Sequence, residues 1–258
     1  MNGHSSKSAS GESTSNIPAD HPRAASLRVR EAMKDAVAKG LVHPTGLIAH
    51  GRGEAFDYLL GERTPREAVE AIAEAARLLR AAKHPVLSLN GNVVALAARA
   101  ALDVAAARPG LALEVNLFHR TPQRVAALVA AMQAAGAKPG QILGAKPDFR
   151  IPGLTSDRAQ CCKAGIGDAD VVLVPLEDGD RCQALKAMGK TVITIDLNPL
   201  SRTAKAADVT IVDELTRALP LLSAALRAKP AKVAAYDNKD VLRRVRQRMA
   251  DLVSGPMR

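Results

Sequence analysis

The stretch that decides the fold is ADVVLVPLEDGDRCQALKAMGKTVITIDLNPLSRTAKAADVTIVDE, residues 169–214. It contains three short apolar runs, which begin at Val171, Val192 and Val209, and each run is followed by polar residues. Continuous apolar runs of this length are typical of strands that are covered on both faces. Segments with helical spacing lie between the runs, and this alternation predicts an open parallel sheet.

The same alternation extends toward the N-terminus. Further strands are predicted at residues 85–89, 112–115 and 141–144, with helices between them. Residues 46–61 are predicted as a glycine-rich connection and residues 146–167 as a long loop. We therefore predict an α/β, Rossmann-like fold: an open, mostly parallel sheet with helices on both faces, an N-terminal helical segment and a C-terminal basic helix.

The composition divides the chain into three parts. Residues 1–16 are rich in Ser and Gly and are predicted to be disordered, residues 17–226 form the α/β core, and residues 227–258 form a basic helical extension. The extension carries nine Lys and Arg against three Asp, which is most of the net charge of +10.

A stripe at helical spacing in the extension predicts an amphipathic helix that packs on the core or on a partner subunit. The sequence disfavours binding to nucleic acid, because no interleaved aromatic residues or recognition motif accompany the arginines. The apolar residues of the stripe are Val241, Val245, Met249 and Leu252.

Several classes of protein are disfavoured by what the sequence lacks. No apolar run approaches the roughly 20 residues of a membrane helix, so we expect no membrane partner. The three Cys, two of them the adjacent Cys161 and Cys162, are interpreted as reduced thiols in a cytoplasmic protein, and this pair as incidental loop thiols. The sequence contains no phosphate-loop, dinucleotide-fingerprint or nucleophile-elbow motif and no metal-ligand spacing of Cys and His.

Polar side chains follow most of the predicted strands at the point where the strand ends. Right-handed crossovers place the carboxyl ends of parallel strands at one edge of the sheet, where open α/β sheets bind ligands. His119 could bind an anionic substrate there, or it could be a solvated loop residue. The candidates for substrate binding at this edge are Asn90, Asn92, Asn116 and His119.

The segment from Asp196 to Thr203, DLNPLSRT, has the highest density of functional residue types. A strand-end Asp can bond ribose hydroxyls, Asn198 can contact an adenine edge, and Arg202 with Thr203 can reach phosphate at a helix N-terminus. The alternative is a β–α turn in which Asn198 and Ser201 satisfy backbone groups. The density of functional types favours a site for ATP.

Two arginines before the sheet are further candidates. Arg52 lies between two glycines that would let the backbone approach a phosphate closely, and the alternative is a tight surface loop with a solvated Arg. For Arg30, spacing alone favours a solvated helix face. The run from Glu177 to Arg181, EDGDR, can hold Mg²⁺ or accept the ammonium group of an amine, or it can cap the next helix through Asp180.

Six segments together resemble the archaeal-type phosphopantothenate synthetases. The resemblance runs from Ile17 to about Leu222, and Cys182 stands where that family is expected to have Thr. The segments are IPADHPRAASLRVRE (17–31), GLIAHGRGEAFDYLLGE (46–62), HPVLSLNGNVVAL (84–96), LEVNLFHRT (113–121), ADVVLVPLEDGDR (169–181) and VITIDLNPLSRTAKAADVTIVDE (192–214).

The resemblance implies a homodimeric ligase of coenzyme A biosynthesis. It would join 4-phosphopantoate to β-alanine with ATP and Mg²⁺ and release AMP and pyrophosphate, with Arg52 and Arg202 as catalytic cations. The alternatives from other classes are a nicotinamide-dependent oxidoreductase and a nucleic-acid-binding protein. The implied ATP contacts are Arg30, Arg52, Asp196, Leu197, Asn198, Arg202, Thr203, Glu214 and Leu215.

Overall fold

The computed structural model of the chain describes residues 17–230 and 235–255, so the prediction of disorder at residues 1–16 lies outside the described residues. Six of the strands form one sheet in which all neighbours are parallel, and β4 and β5 form a separate antiparallel pair. The strands are β1 (Pro85–Leu89), β2 (Ala112–Val115), β3 (Ile142–Leu143), β4 (Phe149–Arg150), β5 (Gln160–Cys161), β6 (Val171–Leu173), β7 (Thr191–Ile195) and β8 (Val209–Ile211).

The strand order of the sheet is β3-β2-β1-β6-β7-β8. The chain therefore winds outward from β1 to β3, returns to the centre, and winds outward on the other side from β6 to β8. This is the doubly wound Rossmann order, so the predicted fold class is confirmed. The order reverses between β1 and β6, and a crevice opens there at the carboxyl ends of the strands.

The described residues contain nine α-helices. None of them combines the length and the apolar character that crossing a bilayer requires. They are α1 (Ala24–Ala38), α2 (Pro44–Leu59), α3 (Arg66–Ala81), α4 (Gly91–Ala107), α5 (Pro122–Ala134), α6 (Gly179–Ala187), α7 (Arg202–Ala206), α8 (Leu215–Arg227) and α9 (Asn238–Ser254).

Both faces of the sheet are covered. Leu87 and Leu89 of β1 pack in the larger core with α3, α4, α5 and α8. Val86, between them in sequence, packs on the other face with Leu185 of α6 and with the region of the β4–β5 pair. Side chains alternate between the faces of a strand, so one short apolar strand contributes to both cores.

The glycine-rich connection predicted at residues 46–61 is wrong, because most of it is α2. Pro44 begins the helix, and the Nδ1 atom of His43 accepts the N–H of Thr45 at 3.3 Å. A Cβ atom on Gly46 would lie 2.7 Å from Oδ1 of Asn92, so this glycine lets α2 pack closely on α4. That packing offsets the cost of about 1 kcal/mol for each glycine in a helix.

The long loop predicted at residues 146–167 is also wrong, because it contains β4, β5 and two helical turns. The fully buried Glu114 carboxylate fixes it by accepting the backbone N–H groups of Cys162 at 2.9 Å and Ile166 at 2.8 Å. Cys161 and Cys162 are buried here and are not loop thiols at the surface.

The C-terminal helix α9 packs on the core of the same chain. Val245 and Met249 are buried as predicted, whereas Leu252 is 45% exposed and does not belong to the buried stripe. The apolar face of α9 contacts Leu60 and Leu197, and Arg248 pairs with Glu67 of α3 at 2.9 Å. The helix therefore supports the loop that follows β7.

Candidate active site

A cleft of about 790 Å³ opens at the carboxyl ends of the strands, beside the point where the strand order reverses. The loops after β1, β2, β6, β7 and β8 line one side, and α1 and α2 line the other. Its volume lies in the range of about 300–1,000 Å³ that is usual for small-molecule sites. The cleft is therefore the candidate active site.

The segment after β7 forms one wall of the cleft. The carboxylate of Asp196 accepts the hydroxyl of Ser201 and the backbone N–H of Asn198, the latter at 2.9 Å. Burial raises the pKa of Asp196, and these two hydrogen bonds and Arg52 oppose the rise. Asn198 also accepts the N–H of Leu200 at 2.9 Å. The segment therefore has the hydrogen bonds of a β–α turn, which was the alternative to an ATP site, and the same segment also lines the cleft.

The second half of this segment starts α7. The Thr203 hydroxyl donates to the carbonyl of Glu177 at 2.7 Å, and Arg202 is exposed with Nη1 2.7 Å from Asp180. Gly179 leaves room for Arg202, because a Cβ atom there would lie 2.5 Å from the arginine Cβ. The Cys182 thiol lies 3.8 Å from the Thr203 carbonyl and can donate to it, as a threonine hydroxyl could.

Helix α2 carries Arg52 to the cleft. Arg52 lines the cleft near Asp196, and a Cβ atom on the neighbouring Gly53 would lie 3.7 Å from Leu197. His50 also lines the cleft; its Nε2 is buried without a partner in the described residues, and burial lowers the pKa of the ring. A neutral imidazole there can bond to a ligand, and sequence reasoning did not single it out.

Arg30 is not among the residues that line the cleft. Its Nε donates to both oxygens of Glu54 at 2.8 and 2.9 Å, and this pairing raises the pKa of Arg30. Glu54 lines the cleft and also pairs with Arg23 at 3.1 Å. A contact between Arg30 and ATP therefore remains a prediction and would require the Glu54 pair to separate.

The loop after β8 contains Glu214 and Leu215, both predicted as ATP contacts, and a network around Arg217 that sequence reasoning missed. Glu214, which lines the cleft with Leu215, caps α8 by accepting the N–H of Thr216 at 2.6 Å, and burial raises its pKa. Arg217 pairs with Asp213 at 2.7 Å and with Asp57 of α2 at 2.5 Å. The network joins α2 to α8. The strand-end position of Asp213, with Arg217 four residues later, was the available signal.

The predicted substrate residues have different environments. Asn90 caps α4 through Val93, and Asn92 donates to the carbonyl of Gly46 at 3.1 Å; both line the cleft. Asn116 is only 1% exposed and is not part of the lining. Its amide accepts the Ser88 hydroxyl and donates to Glu114, so it lies beneath the cleft.

His119 lines the cleft together with His43 and Arg124. Its ring centroid is 3.9 Å from that of His43, and the Arg124 guanidinium donates to the His119 carbonyl. Partial desolvation lowers the pKa of His43, as do the nearby His119 and Arg124. The two imidazoles and the guanidinium offer several N–H donors to an anion.

The run EDGDR after β6 contains three carboxylates, those of Glu177, Asp178 and Asp180, and their environments differ. The Glu177 side chain is 3% exposed and pairs with Arg158 and Arg181, which hold its pKa below the usual value although burial alone would raise it. The N-cap residue of α6 is Asp178, so the prediction of Asp180 as N-cap is wrong. In the described part of the chain, no group of three His, Cys, Asp or Glu side chains could hold a metal ion.

Comparisons with known proteins support the resemblance that the six sequence segments indicated. A family model described as "Phosphopantothenate/pantothenate synthetase" matches residues 67–252, a range that continues past Leu222 and includes most of α9. Three relatives carry the name "4-phosphopantoate--beta-alanine ligase". They are from Thermococcus kodakarensis (47% identical, 92% of this chain, 95% of the relative), Methanosarcina mazei (49%, 88% and 91%) and Methanospirillum hungatei (51%, 79% and 82%).

Proposed function

The chain belongs to the phosphopantothenate/pantothenate synthetase family, and from this membership we infer that it is a ligase that joins 4-phosphopantoate to β-alanine in coenzyme A biosynthesis. Neither the oxidoreductase nor the nucleic-acid alternative is supported by these comparisons. The observation that carries the assignment to this cleft is that Arg52 and the segment from Asp196 to Thr203, far apart in sequence, line the same cavity.

ATP is proposed to bind along the β7 wall. Asp196 and Asn198 would contact the nucleoside, while Arg202, Thr203 and Arg52 would contact the phosphates. The exposure of Arg202 and the position of Arg52 near Asp196 support this arrangement. Mg²⁺ would be carried on the triphosphate oxygens, because the described residues offer no metal-binding group of their own.

The proposed reaction has two steps. A carboxylate oxygen of 4-phosphopantoate attacks the α-phosphorus of ATP, a P–O bond to pyrophosphate breaks, and an acyl-adenylate forms. The amine of β-alanine then attacks the acyl carbon, and AMP leaves with the oxygen that bridged carbon and phosphorus. Neither step needs a protein nucleophile, so positioning and neutralisation of phosphate charge by Arg52 and Arg202 would supply the catalysis.

The phosphate of 4-phosphopantoate is proposed to bind at His119, His43 and Arg124. The two imidazoles, whose ring centroids are 3.9 Å apart, lie beside a guanidinium, and this supports the assignment because N–H donors next to a cation favour a dianion over a neutral hydroxyl. The substitution His119→Ala is expected to raise the KM for 4-phosphopantoate much more than the KM for ATP. Equal rises would contradict the assignment.

Two further features belong to the proposal. A homodimer is supported by the family resemblance and by the exposed Ile48 of α2, which is 72% accessible in the single chain. A cytoplasmic location is supported by the three free, buried Cys. Light scattering on the purified protein tests the dimer.

The experiment that tests the reaction is an assay of products. The protein is incubated with ATP, 4-phosphopantoate and β-alanine, and nucleotides are separated by chromatography. AMP and pyrophosphate, formed only when both substrates are present, are the expected products. ADP and inorganic phosphate would contradict the adenylate route while leaving the ligase assignment standing.

A further inference from the structure

Seven carboxylates line the cleft among the described residues, and six of them are already engaged. Each of these six is half-buried or buried and pairs with a guanidinium, a hydroxyl or a backbone N–H group. The engaged residues are Glu54, Asp57, Glu62, Glu177, Asp196 and Glu214.

Asp178 is the seventh, and its environment differs. Its side chain is 53% exposed, and only Oδ2 has a partner, Nη1 of Arg158 at 2.8 Å. The residue stands at the N-cap position of α6 but makes no capping hydrogen bond with its side chain. The carboxylate of an N-cap Asp usually accepts a backbone N–H group in the first turn of the helix. The Asp178 carboxylate does not, and its Oδ1 has no partner among the described residues.

The position of Asp178 relative to the phosphate-binding residues is the second observation. The next residue, Gly179, packs against Arg202 so closely that any Cβ atom would clash with it. Asp178 is therefore the neighbour in sequence of a glycine that packs against Arg202, the residue proposed to contact the phosphates. Arg158, whose side chain is 10% exposed, holds Asp178 from the other side and also pairs with the buried Glu177.

We propose that Asp178 is the amine-binding residue of the ligase: its carboxylate receives the ammonium group of β-alanine and takes one proton from it, so that the free amine can attack the acyl carbon. The inference rests on the proposed function, in which Arg202 contacts the phosphates of ATP and the acyl carbon of the adenylate is one bridging oxygen away from the α-phosphorus. A carboxylate next to that carbon can both bind a primary ammonium and free its lone pair.

The step balances as follows. The ammonium nitrogen gives one proton to Asp178, and its lone pair then attacks the acyl carbon. The tetrahedral adduct loses a second proton to solvent as the bond from carbon to the bridging oxygen breaks and AMP departs. The product is the amide, with one hydrogen left on nitrogen.

Half-reactions separate this role from adenylate formation. Exchange of labelled pyrophosphate into ATP requires 4-phosphopantoate but no amine, whereas ligation requires both. Asp178→Asn is expected to retain exchange and to lose about 10²–10⁴-fold in kcat/KM for β-alanine, the range of a general base. Hydroxylamine, which is largely uncharged at neutral pH, should still be converted to the hydroxamate by the variant.

The matched control is Asp157→Asn, which removes an exposed carboxylate next to Arg158 that does not line the cleft. It should retain exchange, ligation and hydroxamate formation. The proposal is overturned if Asp178→Asn loses exchange together with ligation, which would indicate a role in binding the Mg²⁺-nucleotide or in folding. It is equally overturned if the variant ligates β-alanine normally, or if hydroxylamine fails to rescue it.

Failure of the proposed function would look different. A wild-type protein without exchange would contradict the adenylate route, and in that case the kcat/KM of Asp178→Asn for β-alanine in the complete reaction still decides the role of Asp178.

Discussion

Arg52 is close enough to Asp196 to lower the pKa of that carboxyl group, although burial raises the pKa overall. A guanidinium in this position adds positive charge where the phosphates of ATP are proposed to lie. Because the Arg52 side chain is exposed, we expect it to contribute little to the stability of the fold and to act mainly in ligand binding.

Replacing Arg52 with alanine should therefore reduce activity and leave the fold intact. We expect kcat/KM for ATP to fall by about 10²–10³-fold, the usual loss of one donor to a transition-state anion. AMP release measures the effect. Arg28→Ala is the control, because Arg28 is exposed on α1 and does not line the cleft. Equal losses in the two variants would contradict a specific role for Arg52.

Glu177 matters to stability, and its contribution depends on pH. Its pKa is held low by Arg158 and Arg181, so the ion pairs contribute above the carboxyl's unfolded pKa and are lost as pH falls through the folded one. Glu177→Gln should lower the free energy of unfolding by about 3–5 kcal/mol at pH 7, because the buried Arg181 loses its carboxylate partner.

The difference between wild type and Glu177→Gln should begin to shrink below about pH 4, the ordinary pKa range of a Glu carboxyl, and should vanish only below the lower pKa of the folded state, where the wild-type carboxyl is protonated as well. Urea unfolding at both pH values measures it. Glu31→Gln, which breaks an exposed pair with Lys34, should change little at either pH. A difference that is the same at both pH values would show that the ionised pair is not its source.

At the scale of elements, α2 offers two glycines in contrasting environments. A Cβ atom on Gly51 would have open space, whereas one on Gly46 would lie 2.7 Å from Asn92 and 2.9 Å from Val42. Gly51→Ala should raise the free energy of unfolding by about 1 kcal/mol, and Gly46→Ala should lower it by about 1–3 kcal/mol. Thermal and denaturant unfolding test the pair, and a stabilised Gly46→Ala would show that α2 need not lie so close to α4.

Local periodicity was enough to predict the sheet but not α2. The runs at Val171, Val192 and Val209 are apolar because both faces of their strands are covered, and this is a property of the local sequence. Helix α2 contains three glycines and is held by residues distant in the chain, among them Leu197 and Arg217. Contacts of that kind are not encoded in spacing.

Some residues of the candidate site could likewise be predicted from the sequence, and others could not. Asn90 and Asp196 could be predicted, because a strand end at the sheet edge follows from topology. Asn116 follows a strand in the same manner but is buried under the β4–β5 region, where Glu114 and Gln160 bond to it. Nothing near Arg158 in the sequence predicted its pairing with Glu177, since the two meet only when that region folds over the sheet.

At the scale of the whole molecule, the C-terminal helix α9 supports the loop after β7 that lines the active site. Leu242 and Val245 of α9 are buried in the cluster that contains Leu197 and Leu60. Leu242→Ala should lower the free energy of unfolding by about 2–5 kcal/mol, whereas Leu252→Ala, at an exposed position on the same helix, should change it little. Equal effects in a urea titration would contradict the packing of α9.

Removal of residues 227–258 is a stronger test of the same support. We expect the truncated chain to be less stable and to lose AMP formation, because the loop from Asp196 to Thr203 loses the surface beneath Leu197. If AMP formation survives truncation, the basic extension is not required for catalysis.

Helix α2 is attached to the rest of the molecule more weakly than the strands are, since Asp57 is the one buried residue among its sixteen. The helix can therefore open while the sheet stays folded, as marginally packed segments of native proteins do. In hydrogen exchange, amides of α2 should lose protection well before those of β1, and bound ATP should slow the α2 amides selectively. Part of the binding energy of the nucleotide would then go into ordering the helix that carries Arg52, and affinity would depend on how often that helix is already docked.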